Sequence, residues 1–185
     1  SLYYDRKTEF ASATNNFKIT DTINKFVARG NYAEVYRLKD SLILTRRPLL
    51  ITESEDKDSL YMNAQRIVVT GKQGQRIVKA FKNARFYKTN MSGKCDSLHS
   101  SETTGITQLI GRPVLWNGES QLTGDLMHLI SNKETQKLDS LKVMNNVFII
   151  EKDTLGTGFN QVKGQNLYGR FKDGKLAEVD IIKNT

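Results

Sequence analysis

Cysteine, proline, tryptophan and histidine are scarce: the 185 residues hold one Cys, two Pro, one Trp and two His. Cys95 alone forms no intrachain disulfide, and one thiol with two histidines cannot build a zinc cluster. Pro48 and Pro113 each precede a short apolar stretch, "LLI" and "VLW", where a proline can open a strand or sit on an edge. No apolar run approaches the roughly 18 residues of a membrane-spanning helix. The opening "SLYYDRKTEF" lacks the charged-then-apolar layout of a secretory leader. The chain is expected to be soluble as it stands, and at this length to form one body with a real core.

Catalytic signatures are equally sparse. "GKQGQR" and "SGKCDS" miss the spacing of a phosphate loop. No nucleophile elbow marks a triad, and His99 and His128 have no metal-ligand spacing. The carboxylates of "ESEDKD", Glu53 to Asp58, lack the spaced ligands and central glycine of a calcium loop and read as a solvated hairpin tip. Cys95 reads as a partly buried structural thiol. The expectation is a protein that is not an enzyme and carries no metal or cofactor.

What is abundant is basic charge, turn chemistry and repetition. A net charge of +8 suits an anionic partner such as phosphate, acidic glycolipid, nucleic acid or a membrane surface, or simply a solvated basic surface. Asn117-Gly118 and Asp173-Gly174 stand between short alternating runs, the pattern of two-residue hairpins, and "GKQGQ" and "EKDTLGTG" end similar runs. "DSL" occurs four times, at Asp40, Asp58, Asp96 and Asp139, where shuffling would give about 0.07 copies. Asp and Ser bond local backbone in turns, so each copy is expected to mark a chain reversal, with Leu the first inward residue of the next strand.

Longer similarities follow. "QLTGD" (Gln121 to Asp125) recurs as "QVKGQ" (Gln161 to Gln165), and "RRPLLI" resembles "GRPVLW". Apolar runs also end at Asn31, Asn83, Asn146 and Asn184. Leu126, Leu129, Ile130, Leu138 and Leu141 have a spacing that also fits a helix, but Gly124 and Ser131-Asn132 favour strand, turn, strand. Short strands with frequent turns and no crossover helices predict an all-β, antiparallel architecture of about four degenerate units stacked into an elongated body.

Runs such as "KFVARGNYAEVY" and "QRIVKAFKNARFYK" alternate apolar residues with Lys or Arg. One sheet face could then receive acyl chains while the rim offers cations, though any half-buried sheet alternates this way. Tyr36, Phe81, Phe86, Tyr87 and Trp116 could instead stack bases, but they form no RNA-recognition signature. A structural scaffold polymerising through strand edges is a third reading.

"ARGNYAEVY", "PVLWNGESQLTGD" and the "CDSL" and "DGKL" turns, in their order and repetition over nearly the whole chain, resemble the OstA-like (organic solvent tolerance) family of lipopolysaccharide-transport domains, in its Bacteroidetes form. The resemblance implies a single domain over residues 1–185, a twisted, taco-like β-jellyroll whose two sheets enclose an apolar groove for the acyl chains of lipid A. It further implies a periplasmic location, a soluble bridge or part of an outer-membrane protein, and partners that are lipopolysaccharide and other transport proteins joined head to tail through edge strands, not nucleic acid. On this reading Phe26, Val35, Ile67, Ile77, Phe81, Phe86, Leu115, Leu122, Val147, Ile149 and Val162 are groove or core residues. Lys79, Arg85 and Arg112 are candidate phosphate contacts.

Overall fold

Ten passes of the chain across one corner generate the architecture of the described residues. The computed structural model describes residues 1–53, 58–153 and 156–182. Among them are sixteen strands: β1 Leu2–Asp5, β2 Phe10–Asp21, β3 Phe26–Tyr36, β4 Ser41–Thr45, β5 Leu49–Glu53, β6 Ser59–Asn63, β7 Arg66–Thr70 and β8 Ile77–Lys88. The remainder are β9 Met91–Ser101, β10 Ile106–Ile110, β11 Val114–Asn117, β12 Ser120–Thr123, β13 Leu126–Ser131, β14 Leu138–Lys152, β15 Phe159–Lys172 and β16 Lys175–Ile182. The only helical element in the described residues is one 3₁₀ turn, Arg37–Lys39. The fold is all-β and antiparallel, of the jellyroll type expected. Strand, turn, strand holds through Leu126 to Val143, where β13 and the start of β14 pair.

Long strands change partners halfway along. In β3, Phe26 to Arg29 pair with β5, whereas Tyr32 to Tyr36 pair with β4. In β8, Ile77 to Phe81 pair with β7, and Arg85 to Tyr87 with β6. Two half-sheets result, joined along a corner. The first runs from β1 through the early part of β2, the late part of β3, β4, β7, early β8, late β9, β10, β13, early β14 and late β15 to β16. The second holds late β2, early β3, β5, β6, late β8, early β9, β11, β12, late β14 and early β15.

Passes from the first half-sheet to the second all contain two successive residues with positive φ among the described residues: Asn15-Asn16, Arg46-Arg47, Lys82-Asn83, Gly111-Arg112 and Asn145-Asn146. Three residues then separate consecutive inward positions, as between Leu44 and Pro48 or Ala80 and Ala84. Return passes have no such pair, and only two residues intervene, as between Ala64 and Ile67 or Cys95 and Leu98. The last inward residue before each return corner is small: Gly30, Ala64, Cys95, Gly124 and Gly164. The vertex of two converging sheets leaves no room for more. A Cβ on Gly124 would collide with the Val143 side chain, and one on Gly164 with Ile181.

The repeats of the sequence acquire a physical meaning here. Arg46-Arg47-Pro48 and Gly111-Arg112-Pro113 are equivalent outward corners, each proline immediately preceding a strand. "QLTGD" and "QVKGQ" flank the same strand, since Gln121 and Gln161 both pair with Ile150 and Leu122 and Val162 both pair with Ile149. Five out-and-back units are present among the described residues, where the sequence marks suggested about four. Asp40 and Asp58 do precede strands after a reversal, but Asp96 sits at a corner inside β9 and Asp139 inside β14. In every copy the Leu points inward: Leu42, Leu98 and Leu141 are buried, and Leu60 packs on the core. Asn184 and most of "ESEDKD" lie outside the described residues, as do Thr154 and Leu155 of "EKDTLGTG".

Asp173-Gly174 forms the expected two-residue turn, both residues with positive φ and Lys172 opposite Lys175. At the other hairpin the turn is Gly118-Glu119, one residue later than expected, because Asn117 pairs with Ser120. Buried Asn117 is a tie between the half-sheets. Its Nδ2 donates to the carbonyls of Asn90 (3.0 Å) and Gly174 (3.1 Å), and its Oδ1 accepts from the Leu176 N–H (2.9 Å). Between the half-sheets lies one apolar core, including Leu44, Leu50, Leu109, Leu115, Leu122, Leu141 and Leu167. Each such side chain contributes about 1.5–3 kcal/mol of burial.

Candidate functional site

The half-sheets part opposite the corner, leaving a cleft of about 490 Å³ between their rims. Its floor is apolar because inward positions of both half-sheets end there: Leu60, Met62, Phe86 and Met91 from the second, Leu98, Leu129 and Leu138 from the first. Polar and charged groups stand at the lip, with Lys25, Arg76 and Lys88 as cations and Glu53, Glu102 and Glu134 as carboxylates. A smaller cleft of about 280 Å³ lies nearer the N-terminal strands, with Ile19, Phe26, Val35, Leu42 and Val69 in its lining.

Arg76 stands on the edge of the larger cleft and reaches across to the second half-sheet. Its Nη2 donates to Asn24 Oδ1 at 3.0 Å, its guanidinium lies 5.8 Å from the Phe26 ring centre, and Nη1 is 3.7 Å from Glu102 Oε1. Glu102 Oε2 also accepts the backbone N–H groups of Gly74 (2.7 Å) and Arg76 (3.0 Å), which fixes the β7–β8 loop. Asn24 is held in turn by Asp21, donating to it from backbone and side chain at 2.7 Å each. Burial opposes ionisation of Asp21, but those bonds outweigh it, with Arg76 adding to them, and hold the carboxyl below its usual range. Arg76 is 7% exposed and its charge is paired, as a buried guanidinium must be.

Of the residues named from the sequence, Phe86 lines the larger cleft and Phe26 and Val35 the smaller one. Ile67, Leu115, Leu122, Val147 and Ile149 are buried in the core. Val162 has inward parity but is 37% exposed on the uncovered early part of β15. Two placements differ from expectation. Ile77 and Phe81 alternate with the buried Val78 and Ala80, so they face outward on the first half-sheet, and Ile77 is 37% exposed. The proposed phosphate contacts also lie away from the cleft. Lys79 faces outward beside His99, Arg85 faces outward on the second half-sheet, and Arg112 occupies an outward corner. The reason is parity: a cation between two core residues of a strand must point away from the core. The cleft's own cations, Lys25, Arg76 and Lys88, sit at strand ends and turns, where alternation carries no signal.

The titratable groups among the described residues are dispersed. Cys95 is buried, donates to the Ser97 carbonyl at 3.2 Å, and desolvation pushes its thiol up to about 11. Desolvation lowers His99 and His128, with Lys79 and Lys142 respectively adding to the effect. Both histidines face outward on the first half-sheet, where His128 Nε2 lies 3.1 Å from Gln108 Nε2. Among the described residues no group of three metal-binding side chains gathers, and no helix is long and apolar enough to cross a membrane. The cleft offers an apolar floor for hydrocarbon beneath a lip that can meet charge. No protein-family model matches the chain, and no curated protein is detectably similar to it.

Proposed function

We propose that this chain is a non-enzymatic, periplasmic lipopolysaccharide-binding domain that carries lipid A acyl chains toward the outer membrane. The observation that carries the reading is the cleft between the rims, apolar below and charged at the lip. Its volume of about 490 Å³ falls within the roughly 300–1,000 Å³ of ligand sites. Each acyl methylene buried there is worth about 0.8 kcal/mol, which works against the cost of ordering the chain. The order and repetition of the sequence motifs, which resemble the OstA-like family, support the same reading.

Edge strands support the proposed partners. In the described residues β1 and β16 end the first half-sheet, and late β2 and early β15 end the second, all with an unpaired side. Such edges accept a further strand from another transport domain or a second copy, joining troughs head to tail.

A photo-crosslinking amino acid at Phe86 or Leu98 tests the reading with purified lipopolysaccharide, the outward Phe81 position serving as control. Capture at the two cleft positions and not at Phe81 is expected. Equal capture at all three, or none, refutes the groove.

A further inference from the structure

The outward face of the second half-sheet has a pattern that neither the core nor the cleft requires. Following the strand register, one cross-strand row reads Lys18, Arg29, Leu49, Asn63, Arg85, Lys94, Val114, Thr123, Phe148 and Lys163. The next row toward the rim reads Thr20, Val27, Ile51, Tyr61, Tyr87, Ser92, Trp116, Gln121, Ile150 and Gln161. Neither row contains a carboxylate. Lys18 and Arg29 face each other directly across strands, and so do Arg85 and Lys94. Like charges so placed destabilise a sheet. No salt bridge found among the described residues relieves these five cations. Arg47, Lys82 and Arg112 border the face along the corner, which also carries Asp96 and Asp125.

Beside this row stand aromatic side chains. Tyr61 and Tyr87 are 42% and 57% exposed, with ring centres 6.4 Å apart. Lys94 Nζ lies 5.7 Å from the centre of the half-buried Trp116 ring, whose Nε1 donates to Gln121 Oε1 at 2.9 Å. Lys163 lies 5.6 Å from the Phe148 ring centre. Tyrosine and tryptophan with an apolar body and a polar tip, interleaved with long basic side chains, suit the boundary between hydrocarbon and headgroup. Ten strand segments at about 4.8 Å spacing spread these groups over a broad face, and a planar array of anionic headgroups can neutralise all five cations together.

We propose that this outward face docks on the surface of an anionic lipid bilayer, with Tyr61, Tyr87 and Trp116 at headgroup depth and Arg85 and Lys94 on lipid phosphates. The docking is separate from the cleft, which opens on the opposite side of the same half-sheet. Trp116, the single tryptophan, reports on it directly.

The test uses the whole chain with vesicles of phosphatidylglycerol and phosphatidylethanolamine, and with pure phosphatidylcholine vesicles for comparison. Binding to the anionic vesicles is expected, with a blue shift of Trp116 emission and quenching by brominated lipid. The double variant Arg85→Glu/Lys94→Glu should lose at least tenfold in binding while retaining wild-type circular dichroism and Phe86 crosslinking. Lys79→Glu/Lys142→Glu changes the net charge equally on the other half-sheet and should stay within twofold of wild type. Equal losses in the two variants, unshifted Trp116 emission, absent vesicle binding, or tighter binding to a single-stranded oligonucleotide than to the vesicles would each overturn the proposal.

Discussion

Outward and return corners solve one geometric problem differently. Both turn a strand from one half-sheet into the other while keeping apolar side chains inside. Outward corners insert an extra residue and absorb it in two left-handed conformations, a strain that Asn and Gly tolerate best. Return corners have no such pair, Gly30 alone among their small residues having a positive φ, and instead bring the backbone so close to the opposing sheet that the residue there is Gly, Ala or Cys. The lesson is that this repeat is conserved in backbone geometry and in inward spacing, with little constraint on residue identity elsewhere. Return strands also supply acceptors to the outward corners: Asn31 Oδ1 accepts from the Asn16 N–H and Asn166 Oδ1 from the Asn145 N–H, each at 3.2 Å.

Crowding at the return corner gives the largest expected effect. Gly124→Val should cost about 3 kcal/mol, because the new side chain meets Val143 and the Asn145 carbonyl in a vertex that cannot open without separating the sheets. Urea unfolding measures it, and a loss below about 1 kcal/mol would remove the steric account of these small residues.

Glycine introduced at the two kinds of corner should act with opposite sign. Asn16→Gly relaxes a left-handed residue and should stabilise by about 0.5 kcal/mol, while its N–H bond remains. Asn31→Gly removes the acceptor of that bond and should destabilise by about 1 kcal/mol. Thermal midpoints that move in the same direction would break the distinction.

The smallest effect separates the half-sheets themselves, since both histidines lie on the first. Their folded pKa values lie below the ordinary 6.5, mainly through desolvation. The unfolded chain therefore binds protons first as pH falls. Stability should be full above pH 6.5 and decline as pH drops from there toward the folded values, then level off. Urea midpoints at pH 7.5 and 5 should differ for the wild type, and the difference should shrink in His99→Gln/His128→Gln. An unchanged difference would locate the pH dependence elsewhere.

Much of the architecture was readable because turns and alternation are local. Gly and Asp at Asp173-Gly174 dictate a tight turn whatever surrounds them, and alternation assigns Ile67, Leu115 and Leu122 to an interior. The corner could also have been read, since a small residue followed three positions later by an apolar one recurs at Gly30, Ala64, Cys95, Gly124 and Gly164. Phe81 misled because an aromatic between basic residues satisfies either parity until its neighbours Val78 and Ala80 are seen to be buried. Arg76 was invisible, a single cation after a glycine-rich turn whose partners Asn24 and Glu102 are far away in sequence.

By itself, then, the chain determined that it would be β throughout, where it would reverse, and which residues would repeat, because backbone preference and side-chain alternation act over a few residues. Tertiary structure alone decided how the half-sheets converge, and with that the cleft, the Arg76 and Asn117 ties between the half-sheets, and the gathering of cations and aromatics on one outward face. Those features depend on registers between distant strands, which no local preference specifies.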